Sequence, residues 1–313
     1  MEQAGPSQED SIAVIIHSES LNKSFRRHDA LRGISLAVPE GSIYALIGAN
    51  GAGKTTTIKT LLNILAPTSG RSTVLGVDSR RLSPREFSRI GYVSENQELP
   101  QRLTVGAYLD YLRPFYSTWD RSLEGALVAE FQLPLDRKIR DLSHGMRMKA
   151  SLACALCYRP RLLVLDEPFS GLDPLVRDEL MERLLQQADE MTVFLSSHEL
   201  DEIEGSTTYV GYLENGRLLF QESMAGLSDR VREVRVTLGH DAQIPSGSPG
   251  NWINFSVTGN VLSFVDVGYE STALQASLNS LLKDIREVEA QPAALRSIFT
   301  ALARSNRSRE TAP

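Results

Sequence analysis

A glycine-rich turn between two contrasting segments restricts this chain more than any other feature of its sequence. The turn is Gly48-Ala-Asn-Gly-Ala-Gly-Lys-Thr55. It follows the apolar run Ser42–Ile47 and precedes Lys54–Leu65, where apolar residues recur at helical spacing. The order of strand, glycine-rich turn and helix predicts a βα unit. In such a unit the N–H groups of the turn and the N-terminus of the helix favour a bound phosphate.

The same turn fits the phosphate-loop pattern G-x-x-x-x-G-K-[S/T]. That pattern places Lys54 at the β- and γ-phosphates and the Thr55 hydroxyl on Mg²⁺. The alternative is a flexible glycine-rich turn, which the position between a strand and a helix disfavours. The sequence therefore predicts a site for a nucleoside triphosphate. The residues expected to bind it are Gly48, Asn50, Gly51, Ala52, Gly53, Lys54, Thr55 and Thr56.

Two carboxylates follow a second apolar run, Leu162–Leu165. The first, Asp166, suits Mg²⁺, usually through water, and the second, Glu167, suits the polarisation of the water that attacks the γ-phosphate. Taken alone, the two acids are as consistent with a solvated strand end or a helix cap. Because they lie downstream of a phosphate loop, at the carboxyl end of a predicted parallel strand, we favour the catalytic interpretation.

The remaining pattern indicates an α/β fold, because uninterrupted apolar strands that alternate with helices are typical of a parallel sheet covered on both faces. Residues 76–140 are predicted to be mostly helical. Further predicted strands are Ala13–His17, Ile34–Val38 and Thr192–Leu195, and further predicted helices are Ser143–Cys157 and Leu175–Gln187.

A change of character near 227 predicts a small C-terminal α/β appendage over 228–303, after a first domain at 11–227. Residues 1–10 are expected to be a polar leader and residues 304–313 a mobile tail. The predicted strands of the appendage are Glu233–Leu238 and Val261–Val267, and its predicted helices are Ser271–Leu282 and Ala293–Ala303.

Five segments occur in one characteristic order: GANGAGKTT, LSHGMRMK, LLVLDEP, SGLD and SSH. In this the chain resembles the ABC-type ATPases, the nucleotide-binding subunits of ATP-binding-cassette transporters, over about residues 11–225. The resemblance implies a P-loop NTPase fold with an inserted helical subdomain at about 76–157. The appendage is similar to the C-terminal extension of bacterial exporter ATPases whose membrane subunit is a separate chain.

The resemblance also implies roles for single residues. Phe25 would stack on adenine, and Ser143 and Gly145 would contact the γ-phosphate of ATP bound to an opposite protomer. Asp173 would lie in the loop that crosses the dimer interface, and Glu95 would replace a Gln that senses Mg²⁺. His198 would face the γ-phosphate as a catalytic group, beside Glu167 and Lys54. Structural alternatives are an aromatic packed under the first hairpin for Phe25, a plain helix cap for Ser143 and a capping role for His198. Gln97 is an alternative to Glu95. The segment Leu142-Ser143-His144-Gly145-Met146 departs from the common form L-S-G-G-Q at its third and fifth positions.

The implied function is an ATP-hydrolysing subunit that powers an exporter through ATP-driven dimerisation, with ATP and Mg²⁺ as cofactors. Its partners would be a second ATPase subunit, in a homo- or heterodimer, and a separate transmembrane permease. Rival interpretations are a soluble ABC ATPase that acts on ribosomes or DNA, and an ATP-switched regulatory module. The absence of two fused cassettes and of a long coiled coil disfavours the first. The presence of Glu167 and His198 disfavours the second.

Composition supports these choices. A formal net charge of −6 disfavours nucleic acid as a partner, and a hydrophobic content of 42% excludes a disordered chain. No apolar run is long enough to span a bilayer and no signal peptide is evident, so we expect a cytoplasmic protein held at the membrane by its permease. Cys154 and Cys157, spaced Cys-x-x-Cys, are predicted to be small core residues of a helix rather than a redox pair.

Overall fold

The computed structural model describes residues 13–26, 28–187, 191–200, 203 and 205–299. The chain divides into two compact units, the first ending at Gln221 and the second beginning at Glu222, slightly before the predicted boundary near 227. The predicted leader and tail lie outside the described residues. Among the described residues, no helix has both the length and the apolar character that a bilayer crossing requires.

The first unit is built from strands and helices in mixed order. In chain order they are β1 (Val14–Phe25), β2 (His28–Pro39), β3 (Ile43–Ile47), α1 (Lys54–Leu61), β4 (Ser69–Val74), β5 (Val77–Asp78), α2 (Pro84–Phe87), β6 (Ile90–Ser94), α3 (Val105–Leu112), α4 (Arg121–Glu130), α5 (His144–Leu156), β7 (Leu162–Asp166), α6 (Pro174–Gln187), β8 (Thr192–Ser197), β9 (Tyr209–Glu214) and β10 (Arg217–Ser223). Short 3₁₀ turns lie at Ser79–Arg81, Arg113–Phe115 and Ile139–Asp141.

The central sheet has the strand order β10-β9-β3-β8-β7-β6. Strand β3 pairs in parallel with β8 and β9, and β7 pairs in parallel with β8 and β6. Every residue of β3, β7 and β8 is buried, which explains why these strands are apolar apart from Asp166 in β7 and Thr192, Ser196 and Ser197 in β8. The predicted parallel sheet is confirmed. Its register aligns Ile47 with Ser197, and Asp166 with both Ser196 and Ser94, so these strands end at one edge.

A second sheet, with the order β2-β1-β4-β5, packs into the same core. Strands β1 and β2 form an antiparallel hairpin whose last paired residues are Phe25 and His28. Helix α1 buries Ile58 and Leu61 in the core that both sheets share. This packing fixes the start of α1 directly after the glycine-rich turn.

The prediction of mostly helix over 76–140 is wrong at Ile90–Ser94, which forms strand β6 of the central sheet. The five residues are too few for a helix to be told from a strand by periodicity alone. Beyond β6 the region is helical as predicted, with α3 and α4. The inserted helical region therefore begins after β6 rather than near 76.

The second unit has α7 (Met224–Arg230), β11 (Arg232–Leu238), β12 (Trp252–Thr258), β13 (Val261–Asp266), α8 (Ser271–Leu281) and β14 (Ile285–Pro292). Its sheet has the order β12-β13-β11-β14 and is antiparallel throughout. Alternate residues of β11, Val234 and Val236, pack with Phe264 of β13 and with Leu274 and Leu278 of α8. The predicted strands β11 and β13 and the predicted helix α8 are confirmed, whereas β12 and β14 were not predicted. Residues 295–299 are helical, and the predicted helix beyond 299 lies outside the described residues.

Candidate active site

The glycine-rich turn lies between β3 and α1, at the carboxyl edge of the central sheet. The Gly48 N–H donates to the carbonyl of Ser197 at 3.3 Å. Gly53 has φ 111° and a Cβ at this position would lie 2.8 Å from the carbonyl oxygen of Ala30. Only glycine meets both conditions without strain. The turn therefore packs closely against the residue Ala30 of β2 and leads directly into the N-terminus of α1, the kind of position at which a helix favours a phosphate.

Lys54 is buried, with 5% of its side chain exposed. Its Nζ donates to the carbonyl of Gly48 at 2.5 Å and to that of Ala49 at 3.2 Å. It also forms an ion pair with Glu167 Oε1 at 3.0 Å. An ammonium group has three protons, and each finds an acceptor here. A buried cation without these partners would be strongly disfavoured, so a phosphate that binds Lys54 must replace some of them.

Asp166 ends β7 and is held by two hydroxyl groups. Its Oδ1 accepts from Thr55 Oγ1 at 2.9 Å and from Ser196 Oγ at 2.9 Å. Burial raises the pKa of Asp166, and the two hydroxyl donors act in the opposite direction by stabilising the charged form. Ser196 was not predicted as a site residue. The only signal was a hydroxyl residue at the end of an otherwise apolar strand.

The hydroxyl of Thr55 and the carboxylate of Asp166 are hard oxygen donors of the kind that Mg²⁺ prefers. No three His, Cys, Asp or Glu side chains cluster as a metal site among the described residues. A Mg²⁺ ion commonly takes one or two protein ligands and completes its shell with substrate phosphates and water. The donor set therefore fits a nucleotide-bound Mg²⁺.

Glu167 follows in the left-handed region, with φ 53°. Its N–H donates to Ser196 Oγ at 3.0 Å. Its Oε1 contacts Lys54, and its Oε2 lies 2.8 Å from His198 Nδ1. The other ring nitrogen of His198 lies 3.7 Å from Glu199 Oε1. The structure thus joins Lys54, Glu167 and His198, the three predicted catalytic residues, in one chain of contacts.

A cavity of about 420 Å³ opens beside these residues. It is lined by the phosphate-loop residues Asn50, Gly51, Gly53, Lys54, Thr55 and Thr56, and by Phe25, Glu95 and Glu167. Phe25 is 43% exposed, and Lys23 Nζ lies 4.9 Å from its ring centroid. One face of the ring is therefore taken by Lys23. His28 and Asn96 also line the cavity, and neither was predicted because neither belongs to a recognised motif.

The predicted residues Ser143, Gly145 and Asp173 are described but do not line this cavity. Ser143 caps α5, its hydroxyl accepting from the Met146 N–H at 3.2 Å. Asp173 Oδ1 accepts from the Leu175 N–H at 2.9 Å, at the start of α6. Within one chain, Ser143 thus makes the plain helix cap that was its alternative interpretation, and Asp173 makes a similar local contact.

Comparison with known proteins identifies the family. A family model described as ABC transporter matches residues 31–170. The bacitracin transport ATP-binding protein of Enterococcus faecalis is 33% identical over 223 residues, which cover 70% of this chain and 72% of that protein. The chain belongs to the ABC transporter family. The predicted family and its ATPase class are confirmed.

Two further comparisons agree. The lantibiotic transport ATP-binding protein of Streptococcus pyogenes is 30% identical over 218 residues, covering 69% of this chain and 93% of that protein. A solved structure of an ATP-binding subunit of an ABC transporter is 28% identical, with a TM-score of 0.63, and covers 69% of this chain and 92% of that one. The predicted P-loop NTPase fold of ABC ATPase type is confirmed.

Proposed function

We propose that this ABC protein is the ATP-binding and ATP-hydrolysing subunit that powers a membrane exporter, and that it works through ATP-driven dimerisation. The observation that carries the proposal is the chain of contacts from Lys54 through Glu167 to His198, in which Lys54 and Glu167 line one cavity. The relatives named for bacitracin transport and lantibiotic transport support a transport role. We infer export, rather than import, from the resemblance of the appendage to the C-terminal extension of bacterial exporter ATPases.

Nucleotide binding would use both ends of the cavity. The base would stack on the face of Phe25 that Lys23 leaves open, and the phosphates would lie along the loop from Gly48 to Thr56. Lys54 would exchange its contact with Glu167 for the β- and γ-phosphates. This exchange keeps the buried ammonium paired at every stage.

Thr55 and Asp166 would hold Mg²⁺, with Glu95 as a further candidate, and the ion would neutralise charge on the phosphates. Ser196 would keep Asp166 oriented, because it donates to the same carboxylate oxygen as Thr55.

Hydrolysis would depend on the release of Glu167 from Lys54. The carboxylate is then free to accept a proton from the attacking water, while His198 orients it through Oε2. His198 would also face the γ-phosphate. This arrangement couples the arrival of phosphate at Lys54 to the availability of the base.

A second ATPase subunit would complete the site. Ser143, Gly145 and Asp173 lie away from their own chain's cavity, so we propose that they contact ATP and the cavity of an opposite protomer. A separate permease subunit would hold the pair at the cytoplasmic face of the membrane, and the helical region with α3 and α4 would contact it.

The test is the ATPase rate as a function of protein concentration for the wild type and for Glu167→Gln. We expect the rate per subunit to rise with concentration, and Glu167→Gln to bind a fluorescent ATP analogue normally while losing at least a hundredfold in kcat. Glu199→Gln is the matched control, because Glu199 also lies near His198 but is 58% exposed. Near-normal turnover by Glu167→Gln would refute the assignment of the base, and a rate per subunit independent of concentration would refute the shared site.

A further inference from the structure

The side chain of His144 connects two segments that are far apart in the sequence. His144 is the first residue of α5 and the third of the segment Leu142–Met146. Its Nε2 lies 3.1 Å from the carbonyl oxygen of Ser170. Nε2 carries a proton both in one neutral tautomer and in the imidazolium, so it donates to that carbonyl in either form.

Ser170 is also bonded to Glu167. Its N–H donates to the Glu167 carbonyl at 3.3 Å. One residue of the loop 167–173 therefore contacts the candidate base through its N–H and the start of α5 through its carbonyl. Glu167 and His144 are therefore linked through the backbone of one residue, Ser170.

Two further contacts hold the start of α5 against α6. A Cβ at Gly145 would lie 3.4 Å from Val176 Cγ1, so the backbone at this position is close-packed on α6. Lys149 Nζ lies 2.6 Å from Glu179 Oε2, and the lysine side chain is only 12% exposed. A Cβ at Gly145 would also lie 3.8 Å from Leu172 Cδ2 of the loop, and His144 adds a hydrogen bond to the loop backbone.

We propose that His144 is a positioning residue that holds Ser143 and Gly145 in register with the loop after Glu167. This proposal rests on the proposed function, in which Ser143 and Gly145 contact ATP on the opposite protomer. A change at Glu167 in one site is then passed to the segment that completes the other site. Glycine, the common residue at this position in ABC ATPases, has no side chain to make this contact. The hydrogen bond to the loop is therefore possible only in chains that have a side-chain donor at this position.

The first measurement does not require hydrolysis. Hydrogen exchange of the nucleotide-free protein is compared among wild type, His144→Ala and His144→Gln. We expect His144→Ala to speed exchange in peptides that cover 168–173, because the Ser170 carbonyl loses its donor and the loop loosens. His144→Gln, whose amide donates at a similar reach, should restore the wild-type rate. Unchanged exchange of the loop in His144→Ala would overturn the proposal, whether or not the protein proves to be a dimeric ATPase.

The second measurement is ATP turnover against ATP concentration. We expect His144→Ala to lower kcat about tenfold and to reduce the Hill coefficient towards 1, since misplacement of a catalytic segment is costly. The affinity of the separate chain for a fluorescent ATP analogue should stay within about twofold, because His144 does not line the cavity. His144→Gln should recover most of kcat. Equal losses in both variants, or a loss in nucleotide affinity alone, would overturn the proposal.

Discussion

Substitution of Ser196 by alanine tests the most tightly packed part of the site. The Ser196 side chain is fully buried, and its hydroxyl donates to Asp166 Oδ1 at 2.9 Å and accepts from the Glu167 N–H at 3.0 Å. Ser196→Ala removes one donor from a buried carboxylate and leaves a backbone N–H without this acceptor. Each loss costs about 1–3 kcal/mol. Because the structure relaxes in part, we expect a loss of about 2 kcal/mol in stability, visible as a lower urea midpoint.

The catalytic effect should be separable from the loss of stability. The bond to Ser196 fixes the backbone of Glu167, so its removal lets the carboxylate move away from His198. If about 1.4 kcal/mol of the loss appears in the transition state, kcat falls about tenfold. Nucleotide affinity should change less than twofold, because Ser196 does not line the cavity.

Ser197→Ala is the matched control for this substitution. It removes the same atom from the next residue, whose hydroxyl bonds the backbone of Glu199. Steady-state kinetics at a temperature well below unfolding would give kcat for both variants. The reasoning fails if Ser196→Ala loses stability but keeps the kcat of Ser197→Ala, since Ser196 would then only support the fold.

Two further predictions concern the two buried cysteines and two glycines of the phosphate loop. Burial raises the pKa of Cys157 to about 12 and raises that of Cys154 as well. Neither thiol should therefore react with iodoacetamide between pH 7 and about 9 in the folded protein, whereas both should react in urea. Rapid alkylation of the native protein at about pH 8 would contradict the burial of the two cysteines. Gly53→Ala would place a Cβ 2.8 Å from the Ala30 carbonyl, whereas Gly51→Ala has φ 82° but nothing within 4 Å. Calorimetry should therefore show a greater loss of thermal stability for Gly53→Ala than for Gly51→Ala, and Gly53→Ala should also bind nucleotide more weakly. Equal losses of thermal stability in the two variants would show that backbone strain alone decides the effect.

The parts of the site that lie in one continuous segment were predictable from the sequence. The turn from Gly48 to Thr55 and the pair Asp166–Glu167 are read from adjacent letters, and their placement needs only the rule that parallel strands end at one edge. The contact between Glu167 and His198 was not predictable by spacing. It depends on the register of β7 and β8, which aligns Asp166 with Ser196, and a shift of one residue would turn either side chain to the other face.

The fold was missed where local patterns were short. Strand β6 has five residues, and its neighbours in the sequence are turns and a four-residue helix. Strands β9 and β10 were also overlooked, although the two residues between them, Asn215 and Gly216, form a recognisable signal. Their φ values are 50° and 77°, as a two-residue hairpin turn requires, and Asn-Gly is the preferred pair for that turn.

The backbone of Glu167 shows why a stable arrangement need not be an unstrained one. A residue with a Cβ at φ 53° costs about 1–2 kcal/mol relative to an ordinary conformation. Aspartate or asparagine tolerates this conformation better, and glycine without strain. However, the side chains of aspartate and asparagine are shorter and would not reach as far, and glycine has no carboxylate. The observed conformation turns the side chain so that one carboxylate contacts both Lys54 and His198. The bond from the Glu167 N–H to Ser196 offsets part of the strain. The bond to Ser196 holds the backbone of Glu167, and the contact with His198 holds its carboxylate. The proposed exchange requires this, because Glu167 must keep its position when Lys54 turns to the phosphates.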